Sequence, residues 1–121
     1  SNDYSGGLST TVKMDIKSSC NINASGKIYL NTLSTTSSNL YREGLLNYQV
    51  VKDGSVTALK GNITSSGEIA LDIGTLSKAS SASTTYKIYV WIDESKVINS
   101  DAYSKYYGNI RATAIQTEWY I

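Results

Sequence analysis

Asp93, Glu94, Asn99 and Asp101 form the densest group of hard oxygen donors in the chain, and such donors suit a calcium ion. Their spacing fits no defined calcium loop, and Asp and Asn also recur in turns because their side chains bond to nearby backbone. Asp93 and Glu94 are adjacent, but neighbours at the end of a strand point to opposite faces and do not converge as an acid–base pair. The sequence contains no His, which removes the commonest general base and excludes His-dependent triads and zinc-protease motifs. The single Cys20 has no His to activate it and no second Cys to pair with. Gly6 and Gly7 form an isolated pair without the Lys-Thr that a phosphate loop requires. The expectation is a protein that is not an enzyme and has no cofactor.

Tyr is the residue type that bears most on binding. There are ten Tyr, two Trp and no Phe, and Tyr89, Trp91, Tyr103, Tyr106, Tyr107, Trp119 and Tyr120 crowd the last third. A ring with a polar tip suits sugar stacking and protein interfaces. Tyr89, Trp91, Tyr106, Tyr107 and Trp119 are therefore candidate ligand or interface aromatics, although Tyr also substitutes for the missing Phe in a core and in cross-strand pairs. Asn23-Ala24-Ser25 and Asn62-Ile63-Thr64 match the short glycosylation pattern and are read as turn residues. An isopeptide crosslink is a further option if the fold gathers Lys13 or Lys17 with Asn109 and Glu68.

These residues sit on elements with a period of two. Val12, Met14 and Ile16 alternate with Lys13, Asp15 and Lys17 within Leu8 to Lys17. Asn23 to Gly26 reads as a turn before the strand Lys27 to Leu33, where Ile28 and Leu30 oppose Tyr29. Leu45 to Val51 runs into Asp53-Gly54, a tight hairpin signal. The returning strand would place Val56, Ala58 and Ile63 inward. Ile69, Leu71 and Ile73 alternate next, and a small polar stretch from Leu76 to Thr85 precedes the strand Tyr86 to Asp93. There Tyr86, Ile88, Val90 and Ile92 share one face. A long polar loop leads to the last strand, in which Ile110, Ala112 and Ala114 alternate. Asn39 to Leu46 has room for one short turn. About seven strands at this spacing predict an all-β antiparallel sandwich, jelly-roll or immunoglobulin-like, over residues 8–121, preceded by a flexible segment over residues 1–7.

A chain of 121 residues is the size of one domain, and its net charge of +1 gives no electrostatic footprint for nucleic acid. No apolar run approaches the length of a membrane helix. The chain reads as a secreted form from which any export signal has been removed.

The run from Tyr86 to Ala114 has an aromatic strand ending in Trp91-Ile92-Asp93, a polar loop, then Tyr107-Gly108-Asn109-Ile110 and small residues. It resembles the end of the sandwich domain in the TasA and camelysin group of exported Gram-positive proteins, and Gly7 to Thr32 is similar in character to the first hairpin of such domains. The resemblance implies a cell-surface sandwich and, in the fibre-forming members, a subunit that polymerises into biofilm-matrix filaments. The protease activity described for camelysin-like members is not carried over, because this chain has no His and no protease-like ligand set. The expected partner is a second copy of the chain, with glycan or matrix components as alternatives for a monomeric adhesin. An extended terminus can complete a neighbour's sheet. Asn2 to Leu8, including Asp3, Tyr4 and Ser5, is the candidate donor strand, and the alternating tail at Trp119 and Ile121 is the other terminus that qualifies.

Overall fold

The computed structural model describes residues 4–14, 22–77 and 84–119. Seven strands are present among them: β1 (Leu8–Met14), β2 (Ile22–Thr32), β3 (Leu46–Lys52), β4 (Ser55–Asn62), β5 (Gly67–Ser77), β6 (Thr84–Ile92) and β7 (Gly108–Trp119). They form two antiparallel sheets, a four-stranded one in the order β1-β6-β3-β4 and a three-stranded one in the order β5-β2-β7. The protein is an all-β sandwich.

The inward faces follow the alternation of the sequence. Ile28 and Leu30 of β2, Leu71 of β5, and Tyr86, Ile88 and Val90 of β6 meet Leu46, Tyr48 and Val50 of β3 in one buried cluster. Leu40, from a 3-10 turn at Ser38–Tyr41, together with Leu45 and Ile63 completes it. Burial pushes the hydroxyl pKa of Tyr48 and Tyr86 upward, since neither phenolate is tolerated among apolar neighbours. The Asp53-Gly54 hairpin forms as expected, with φ of 47° and 84° at its two central residues. Positive φ at both positions matches the twist of the flanking strands.

Three local expectations are corrected. Asn23 to Gly26 lies inside β2, paired on both sides, so a glycine that reads as a turn instead sits opposite Gly74 at an irregularity in the β2–β5 ladder. In β4, Val56 is 59% exposed and Ala58 is also exposed, while Thr57 and Leu59 are half-buried. The cause is phase: Val56 and Lys60 stand opposite Val51 and Gln49 on the outer face of β3, and the two extra residues that β4 carries between them leave that alternation unchanged, so its odd-numbered residues face inward. The buried Gln49 fills the irregularity, its side-chain amide donating to the carbonyls of Val50 and Thr57 at 2.8 Å each. Finally, Leu76, Ser77, Thr84 and Thr85 belong to strands rather than to the polar connection between them.

The terminal strands define the shape of the sandwich. In the immunoglobulin order the first strand lies beside the second and the last beside the penultimate. Here β1 pairs with β6 and β7 pairs with β2. Both terminal strands are therefore sheet edges, one in each sheet, and the β1–β2 connection crosses between sheets.

The chain preceding β1 makes a 3-10 turn at Tyr4–Gly6 that sets the Tyr4 ring edge-on to Tyr89 at 4.9 Å. Gly7 is essential to this approach, because a Cβ there would lie 2.5 Å from the Val90 carbonyl oxygen and 2.9 Å from the Trp91 Cβ. Gly7→Val is expected to lift the turn off β6 and destabilise the fold by about 1–3 kcal/mol, the usual cost of overpacking against backbone. Loss of the Tyr4–Tyr89 contact in aromatic proton shifts, together with the urea midpoint, checks this.

Candidate assembly surface

β1 and β7 leave one side of the sandwich open. Leu8, Thr10 and Val12 stand opposite Val90, Ile88 and Tyr86, the inward residues of β6. Val12 packs against the core, yet Leu8 is 68% exposed. On the facing edge Ile110 packs against the core, whereas Ala112 and Ala114 are exposed, a departure from the burial that their alternation predicts. The two edges do not meet closely enough to cover their inner faces.

Between them lies a cleft of about 190 Å³, with Leu8, Leu30, Ile88, Val90, Tyr106 and Ile110 in its walls. Leu8, Val90 and Tyr106 also border an adjoining cleft of about 390 Å³, which reaches Gly7, Trp91 and Val97. Glu94 is the charged residue in the combined lining. This furrow is apolar.

The aromatic candidates do not form one cluster. Tyr89 and Trp91 lie on the outer face of the four-stranded sheet, in register with Ser9, Gln49 and Asn47. Tyr106 is half-buried, with its hydroxyl 3.0 Å from Thr32 Oγ1, and burial raises its pKa. Its role is that of a core tyrosine at the furrow wall. The Tyr107 side chain is exposed, while its backbone is tied to Thr36 and Leu33. Trp119 ends β7 opposite Ile22 in the other sheet, and its side chain lies outside the described residues. Of the donor candidate, Tyr4 and Ser5 occupy the 3-10 turn and Leu8 begins β1, while Asn2 and Asp3 lie outside the described residues. Ile121 and Cys20 are also outside them.

The 93–107 loop is stitched down by its acidic residues. Arg42 donates to both oxygens of Asp101, at 2.6 and 2.7 Å. Asn39 Nδ2 and the Ile98 N–H add bonds at 2.9 Å each. These bonds, led by that of Arg42, hold the Asp101 carboxyl far below the usual range and raise the Arg42 pKa. Asp93 caps the next turn by accepting from the Ser95 N–H and hydroxyl, which lowers its pKa. Both Asp101 oxygens are committed to Arg42 and its neighbours, and among the described residues no three His, Cys, Asp or Glu side chains converge.

Among the described residues, Lys13 does not join Glu68 and Asn109 in an isopeptide grouping. Glu68 and Asn109 lie on the exposed outer face of the three-stranded sheet, whereas Lys13 lies on β1 in the other sheet. Glu68 instead binds Arg111 through Nε at 2.9 Å and Nη2 at 3.1 Å. Arg111 in turn lies 3.8 Å above the Tyr29 ring. Neither this bridge nor the Arg42–Asp101 clasp is signalled by the sequence, because each joins residues that only the sheet order brings together. Lys17 lies outside the described residues, and Asn62 ends β4 as an exposed residue.

No helix among the described residues is long and apolar enough to cross a membrane. Neither a protein-family model, nor a curated protein, nor a solved structure matches this chain.

Proposed function

We propose that this chain is a non-catalytic structural subunit of an extracellular filament or matrix at a Gram-positive cell surface, assembling by strand addition between copies. The observation that supports this is the attachment of β1. Its ladder with β6 is regular from Leu8–Val90 to Met14–Thr84, and Val12 is its partly buried contribution to the core. A strand held by backbone bonds to one neighbour is replaceable by the same strand of another subunit, which restores every hydrogen bond. On this reading the donated unit includes β1 itself and extends beyond Asn2 to Leu8. Leu8 and the adjoining furrow add a side-chain anchor.

The test is deletion of residues 1–14, with a synthetic peptide of that segment supplied in trans. The full chain is expected to form fibres in negative-stain images. The deleted form is expected to form none and to gain thermal stability with the peptide. Fibres from the deleted form overturn the reading.

A second reading, a glycan-binding adhesin, is favoured by one observation: Tyr89 and Trp91 share the outer face of the four-stranded sheet and are each only half-buried. Partly exposed rings on one sheet face suit sugar stacking. Glycan-array binding that disappears in Trp91→Ala, with the fold intact, would select it.

A further inference from the structure

We propose that the free edge of β7 pairs antiparallel with β7 of a second copy, about a two-fold axis near Ala112, so that two three-stranded sheets become one of six strands. This goes beyond strand exchange through β1, since it uses the opposite sheet.

Sheet edges are normally protected by bulges, short length or charged side chains. All four edges here carry such a device, but on β7 it is confined to the end of the strand. β4 is bulged against β3 and exposes Lys60. β5 is broken by the irregularity at Gly74, which has a φ of 83° and donates its N–H to the Asp72 carboxylate. β1 exposes Lys13. On β7 the ladder with β2 shifts only beyond Gln116, next to Glu118, and is uninterrupted from Gly108 to Gln116. It has no Pro or Lys, and Arg111 is its single charge over that stretch.

The placement of Arg111 removes even that defence. Its guanidinium lies over Tyr29 of β2 and bonds to Glu68 of β5, so the charge leans across its own sheet and away from the open edge. The edge is left with Gly108, Ala112, Thr113 and Ala114 as its small residues, and inward-facing Ala112 and Ala114 are exposed.

A second copy fits this edge better than an unrelated strand because the sequence is compatible with itself. Antiparallel pairing keeps inward residues opposite inward residues only when the axis passes through a residue. An axis at Arg111 would oppose two like charges. An axis at Ala112 sets Ile110 against Ala114 and Arg111 against Thr113, with no like-charge pair directly opposite. The apolar face continues across the junction.

Cysteine crosslinking of the full chain tests this directly, with Cys20→Ser as background. Directly opposed residues in either kind of antiparallel pair lie within disulfide range. Ala112→Cys is expected to give a covalent dimer on oxidation, and Ala58→Cys on the bulged β4 edge is expected to remain monomeric. No dimer from Ala112→Cys, or equal dimer from Ala58→Cys, overturns the proposal. In sedimentation equilibrium, Ala112→Lys is expected to weaken the dimer at least about tenfold while circular dichroism stays unchanged, as an edge lysine does. An unaffected dimer, or a monomeric parent chain at all concentrations, also overturns it. Fibres formed through β1 survive Ala112→Lys, so failure of one proposal is distinguishable from failure of the other.

Discussion

Ile28→Ala is expected to destabilise the protein by about 2–5 kcal/mol, the range for truncating a fully buried aliphatic side chain. Ile28 has 0% exposure and sits on β2, the central strand of the three-stranded sheet, between Leu71 of β5 and Ala112 of β7. Its neighbours are fixed by ladders on both sides, so the sheet has little freedom to collapse into the cavity. The loss therefore includes both the transfer of the removed methylenes and the void they leave. Urea unfolding of Ile28→Ala and Ile28→Val should show midpoints falling in order of volume removed, with similar slopes. A change below about 1 kcal/mol in the alanine variant would mean that the two sheets do not pack as described.

Opening of the 93–107 loop is the second large effect, and it has a defined pH dependence. Asp101 has a 5% exposed side chain gripped by Arg42, Asn39 and the Ile98 amide. Its folded-state pKa is depressed by those bonds. The carboxylate therefore contributes stability that is fully present above the unfolded value near pH ~4 and is lost as pH falls below it toward the folded value. Glu68, lowered by Arg111, and Asp93, lowered by Ser95, act in the same direction. Asp101→Ala should reproduce the acid effect at neutral pH. Amide exchange from Lys96 to Ser104 is expected to rise by roughly ten- to a hundredfold, as for the loss of charge-assisted hydrogen bonds at one loop, while β2 and β3 stay protected. Unchanged exchange in that loop would show that the clasp does not hold it.

The loop also presents Tyr103, 97% exposed and at a φ of 67°. A bulky residue in left-handed backbone persists only where surrounding bonds impose it. Here the flanking Asp101 carbonyl accepts from the Ser104 N–H, and Asp101 itself is clasped by Arg42. The two substitutions thus separate the core from its stitched surface, and each has its own readout.

Both proposals about assembly rest on edges. β1 is regular and lightly anchored, which suits exchange, whereas β7 has a long regular stretch from Gly108 to Gln116, which suits lateral pairing. Growth through β1 and pairing through β7 together would give a filament with two strands of subunits. That geometry is visible as a change in fibre width between the parent chain and Ala112→Lys.

The alternation of Tyr86, Ile88, Val90 and Ile92, and of Ile28 and Leu30, was enough to determine seven strands in a sandwich, because a strand half-buried on one face must repeat every two residues. Asp53-Gly54 likewise determined its hairpin through backbone conformation alone. Tertiary structure decided the rest. Gly26 joined a strand instead of a turn, Val56 took the outer face opposite Val51, and β1 and β7 took opposite sheets. The aromatic residues separated onto different surfaces, and Asp101 found Arg42. The physical reason is range. Periodicity and turn chemistry act between near neighbours, whereas sheet order, bulges and ion pairs depend on which strand lies alongside, a choice made by the packing of the whole core.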